Sequence, residues 1–228
     1  MKSRLPTVLA TVSILGIAAA MGAIFLYVPT EREMGPVQRI FYIHVPSALS
    51  AYLAFFTVLV GSVQYLRTRQ DRWDRLAASA AELGVMFSII VLLTGPLWAQ
   101  PIWGVWWRWE PRLTAMLITF TTYIAYLIIR AYGDQGPQTK RLSAVLGVIA
   151  FANVPFVYYA VRLWAPEQQL HPQNVELAPA MRQTLNLCYI AFFFLFFWLL
   201  HLRCALARDT QTLESLSQRL ESVSPTLD

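Results

Sequence analysis

Charge is scarce in this chain. Only 14% of its 228 residues are Asp, Glu, Lys or Arg, whereas a soluble domain carries roughly 25% because its surface must face water. That shortage excludes a soluble enzyme and a disordered chain. Cysteine is scarcer still. Cys188 and Cys204 both lie on the last apolar run and form neither a CxxC pair nor a CxxCH motif, which excludes a disulfide-stapled secreted module and reads as two ordinary thiols. No Walker motif occurs, so any ATP use belongs to a partner. There is no Lys/Arg-rich stripe, so the formal charge of +5 does not point to nucleic acid. Internal repeats, linkers and low-complexity tracts are also missing, and a single domain is expected.

What is present is apolar: 57% of the residues are hydrophobic. Six runs, Thr7–Val28, Val45–Leu66, Leu83–Trp107, Leu113–Ile129, Leu142–Val161 and Gln183–Leu200, are each long enough for a hydrocarbon core of about 30 Å. Such runs must satisfy their backbone internally, so helices are expected. The fold class read from the sequence is all-α, a polytopic membrane protein of six transmembrane helices. With the N-terminus inside, twelve Lys and Arg fall on inner segments and six on outer ones, which predicts that both termini are cytoplasmic. Met1–Ala23 has features of a signal peptide, but its apolar run continues to Val28 and reads as an uncleaved anchor. The expected layout is a membrane domain over residues 1–205 and a polar, weakly helical cytoplasmic tail over 206–228.

On this topology the unusual residues collect on the outer face. His44 precedes Val45-Pro46, and Pro46 suits the first turn of a helix. The ring would then sit at a helix N-terminus, which disfavours imidazolium and keeps it neutral, the form that binds metal. An interfacial histidine bonded to a backbone carbonyl is the alternative. Trp98, Trp103, Trp106, Trp107 and Trp109 place five of the eight tryptophans just ahead of Arg112, with Gly104 and Glu110 among them. An aromatic belt explains one or two indoles at an interface, not this density. Flat apolar walls with a few charged groups suit a planar, anionic, largely apolar ligand. His171 lies in the outer loop Trp164–Ala178, on the same face. Haem iron takes two axial nitrogens on opposite sides, which His44 and His171 could supply. His201, on the inner side, has no expected ligand role. Glu82 is read as opening the third span, and Pro155 as a kink beside which Asn153 bonds a freed carbonyl.

The segment Trp103-Gly-Val-Trp-Trp-Arg-Trp-Glu-Pro-Arg-Leu-Thr114 resembles the tryptophan-rich WWD signature of haem-handling proteins of cytochrome c biogenesis. Within that superfamily, six spans in a short chain are similar to the heme exporter protein C family, the C component of the cytochrome c maturation system. Arg39-Ile-Phe-Tyr-Ile-His-Val-Pro46 resembles its first histidine motif, and Asn153-Val-Pro155 followed by Trp164 and His171 resembles its second. The resemblance covers about Gln38 to Arg182. It implies haem b held non-covalently as cargo at the periplasmic face of a bacterial inner membrane and passed to a periplasmic haem chaperone, the E component of that system. It also implies as partners an ABC transporter, made of the A and B components, and the small membrane protein that is the D component. By the same resemblance His44 and His171 would be axial ligands and the tryptophan segment the porphyrin platform, with Arg39 and Arg112 as propionate contacts. Glu110 stands where the family usually has aspartate. A cytochrome c synthetase or haem lyase of the same superfamily is the alternative, but those relatives are generally longer, so a non-enzymatic transfer protein is expected.

Overall fold

The computed structural model describes residues 4–134, 136–163 and 176–223. Among the described residues, six helical stretches are long and apolar enough to cross a membrane, so the all-α, six-span architecture stands. The elements are α1 (Leu5–Gly22), α2 (Phe41–Thr68), α3 (Asp71–Trp103), α4 (Pro111–Tyr132), α5 (Pro137–Phe151), α6 (Asn153–Leu163) and α7 (Pro179–Val223). A π turn, Ala23–Tyr27, closes α1, and a 3-10 turn, Pro36–Ile40, leads into α2.

The helices are longer than the apolar runs because their polar ends are held by tertiary contacts. Asp74 receives a two-pronged ion pair from Arg130 of α4, at 2.6 and 2.8 Å. Lys140 of α5 reaches Asp71 at 2.8 Å, and Arg203 of α7 grips Glu82 through two hydrogen bonds of 2.6 Å. Glu82 therefore does not open the third span. It lies three turns inside α3 and ties that helix to α7. Helix α7 likewise passes through residue 205 and stays helical to Val223, with Gln211 accepting from Arg75 at 2.9 Å.

Two prolines behave differently from expectation. Pro46 lies inside α2 rather than in its first turn; the start is set upstream by Gly35, at φ 63°, and Pro36. Lacking an N–H, Pro46 cannot donate to the Tyr42 carbonyl, and helix interiors tolerate this only where packing compensates. Pro155 does coincide with a break, at Ala152 between α5 and α6. Asn153, however, donates to the Ala115 carbonyl and to Thr119 Oγ1 of α4, at 2.8 and 2.7 Å, rather than to a carbonyl freed in its own helix. In the connection before α2, Glu31 accepts from the backbone N–H groups of Met34 and Glu33. These bonds, Met34's first, hold its carboxyl below the usual range.

The core gathers around Phe55, which stacks on Tyr123 with centroids 3.9 Å apart and planes 11° apart. Gly84 of α3 lies beneath it: a Cβ there would come within 2.4 Å of Phe55 Cε1. Because Phe55 and Tyr123 are fully buried, the ring has nowhere to go. Gly84→Ala should destabilise the protein by about 1–3 kcal/mol through overpacking, read as a lower thermal midpoint in detergent. An unchanged midpoint would contradict the contact.

Candidate functional site

The two ends of the bundle differ in height. From the Asp74–Arg130 pair, α3 climbs about 43 Å to Trp103, whereas α4 needs only about 28 Å to reach its start at Pro111, at 1.5 Å per residue. The connecting segment 104–110 must descend by the difference, roughly 15 Å, alongside the last turns of α3. Gly104 makes the reversal. It sits in the left-handed region at φ 72°, ψ 8°, and its N–H caps the Gln100 carbonyl, a conformation costing other L-residues on the order of 1 kcal/mol. The descending chain delivers Glu110, buried at 2% exposure, whose carbonyl accepts the Thr114 N–H at 3.0 Å as α4 begins.

Between the descending segment and the helices lies a cavity of about 340 Å³, within the range of small-molecule sites. Its walls come from one stripe of α2 (Phe41, His44, Val45, Ala48, Tyr52), the upper α3 (from Val91 to Trp103), the loop tryptophans Trp106 and Trp107, the first turns of α4 (Arg112, Leu113, Met116) and Val157 of α6. The α2 residues recur every three or four positions, as one helix face must. Apolar side chains dominate, and the charged group in the wall is Arg112.

His44 is 6% exposed. Its Nδ1 lies 2.8 Å from Thr94 Oγ1, and its ring meets the Trp98 indole edge-on, centroids 6.0 Å apart and planes at 71°. His44 is the fourth residue of α2, at its start as expected, and its ring is held from α3. Trp98 in turn touches Phe41 and Trp103 at 5.9 and 6.3 Å, so the upper wall is a connected set of aromatic rings. Trp109 is 74% exposed and buttresses Trp107 from outside in a T-shaped contact at 5.7 Å.

The residues singled out in the sequence thus divide. His44, Trp103, Trp106, Trp107 and Arg112 meet at the cavity, with Gly104, Trp109 and Glu110 in the segment that forms its wall. Arg39 belongs to a different setting. Its guanidinium carbon lies 5.8 Å from the centroid of Phe25 on the π turn, and its Nε is buried without a hydrogen-bond partner among the described residues. His171 lies outside the described residues. Sequence reasoning missed Tyr52, Met116 and Val157, which line the deep end, and Thr94, which holds His44. Thr94-Gly95-Pro96 interrupts an apolar run and was the available signal.

A family model described as Heme exporter protein C matches residues 1–219. The chain is similar to curated proteins carrying that same name. It is 32% identical to the Rhodobacter capsulatus protein over 202 residues, covering 86% of this chain and 83% of the relative. It is 34% identical to the Paracoccus denitrificans protein over 182 residues, covering 77% and 75%. The figure for the Escherichia coli K12 protein is 29% over 175 residues, covering 75% and 70%.

Proposed function

The chain belongs to the heme exporter protein C family, and from that premise we propose that it holds haem b as non-covalent cargo at the periplasmic face of a bacterial inner membrane. It then passes that haem to a periplasmic haem chaperone in c-type cytochrome biogenesis. The observation that carries this reading is the meeting of His44, four tryptophans and Arg112 around one apolar cavity. A porphyrin asks for flat apolar walls, a cation for its carboxylates and an imidazole for its iron, and these residue types supply them. In this reading His44 is one axial ligand and His171 the other. Trp103, Trp106 and Trp107 shield the ring, Trp109 and Glu110 support the wall, and Arg112 takes a propionate. Arg39, which lies against Phe25 and outside the cavity wall, stays a candidate for the second propionate by resemblance alone.

The role is carriage, not catalysis: the relatives are named as exporters, and nothing asked of these residues makes or breaks a covalent bond of the cargo. The expected partners are the ABC transporter of A and B components, the small D component of the membrane and the E chaperone. Both termini are cytoplasmic, so the cavity faces the periplasm.

The test is haem carriage by purified protein and its release to the chaperone, followed by absorption spectroscopy. Trp106→Ala, Trp107→Ala and Trp109→Ala combined should lower haem affinity about tenfold or more, at roughly 0.5–1.5 kcal/mol per lost aromatic contact. Unchanged binding and transfer in that triple variant would reduce the tryptophans to membrane anchors and defeat the reading.

A further inference from the structure

We propose that Thr94 is a positioning residue for the cargo: it fixes His44 in the Nδ1–H tautomer and, as a hydroxyl rather than a carboxylate, keeps the ligation exchangeable. This rests on the reading of His44 as an iron ligand. The hydrogen bonds run in one direction only. Thr94 Oγ1 lies 2.6 Å from the Ile90 carbonyl oxygen and 3.4 Å from that of Val91. Both are acceptors, so the single hydroxyl hydrogen is committed to the backbone of α3. Toward His44 Nδ1, at 2.8 Å, the oxygen is therefore an acceptor, and Nδ1 must carry the proton. In the neutral ring the lone pair then resides on Nε2.

The neighbours of Thr94 on α3 complete the seat. A Cβ at Gly95 would stand 3.6 Å from His44 Cε1, so the backbone of α3 passes directly beside that edge of the ring. Trp98, one turn on, meets the ring edge-on. A hydroxyl, a glycine and an indole from one stretch of helix thus bound the imidazole, and the stretch is anchored by its own backbone.

The choice of a hydroxyl has a chemical consequence. A carboxylate partner draws the Nδ1 proton toward itself and makes the opposite nitrogen a stronger donor to metal. A neutral hydroxyl already donating elsewhere does this far less. It orients the ligand without strengthening it, which suits a protein whose cargo must leave.

The experiment has two arms. In haem-free protein labelled with 15N-histidine, in detergent, the His44 signals are assigned by their loss in His44→Ala. Wild type and Thr94→Ser should show protonated Nδ1, and Thr94→Val should lose that preference. In haem-loaded protein, Thr94→Val should weaken haem retention about 10–100-fold, the range for losing the partner of a metal-bound histidine. Thr94→Ser should restore it, and Thr94→Asp should hold haem more tightly and release it more slowly to the chaperone. An unchanged tautomer in Thr94→Val overturns the proposal. Haem binding indifferent to His44→Ala overturns the ligand reading, and with it the claim about exchange, whatever the tautomer arm shows.

Discussion

A variant carrying His44→Ala and His171→Ala should emerge from purification without haem, its spectrum lacking the absorption band expected of the wild type. Losing only the partner of a metal-bound histidine costs about 10–100-fold in affinity, so losing the ligands themselves should cost more than roughly 100-fold. His44→Ala alone should have most of this effect, because the side chain is buried in the cavity wall and held by Thr94 and Trp98. The control is His201→Ala, close to the Glu82–Arg203 pair and far from the cavity along α7. It should retain haem as the wild type does. Stoichiometric haem in the double variant would rule out both axial assignments, and loss of haem in His201→Ala would show that general destabilisation is being measured.

The largest expected effect on stability lies at the opposite end of the molecule. Asp74 is 2% exposed and takes both prongs of Arg130, itself seated over the Tyr126 ring at 5.9 Å. Asp74→Ala leaves a guanidinium buried without its counter-charge, and removal of one partner from such a pair typically costs about 3–5 kcal/mol. The purified variant should show a sharply lower thermal midpoint or fail to accumulate. Replacing both partners with apolar residues, Asp74→Leu with Arg130→Met, should recover most of the loss, because then no charge is stranded. The pair also fixes the height of α4 against α3, so haem retention should fall with stability in the single variant and return in the double. A double variant as unstable as the single one would show that the ion pair itself, rather than avoidance of an orphan charge, holds the two helices.

How far the sequence discloses this arrangement depends on which residues are asked. The spans are legible because an uncharged run of about 20 residues has few alternatives to a membrane helix. Their ends are not, because Asp71, Asp74 and Glu82 look like boundary markers until Lys140, Arg130 and Arg203 are seen to neutralise them. Helix α3 continues through Pro96 and Pro101 to Trp103, where the packed rings of Trp98, Phe41 and Trp103 support the wall. The tryptophan density points to the cavity directly. Arg39 and Arg112 are indistinguishable as cations, and only the fold sends one to Phe25 and the other to the cavity wall. Thr94 is invisible as a partner of His44 because a threonine in an apolar helix usually bonds its own backbone. It does so here, and only the packing of α2 on α3 brings an imidazole 50 positions away to its remaining lone pair.

The unequal heights of α3 and α4 also act on the cargo before any side chain touches it. Because the wall ends lower on α4 than on α3, the cavity is graded: Tyr52, Met116 and Val157 line its apolar end, and Arg112, Trp103 and Trp106 the end toward the connecting segment. A flat molecule with two carboxylates on one margin and hydrocarbon on the other would be turned by that gradient alone, acidic margin toward the connecting segment, and would reach Arg112 and His44 already aligned.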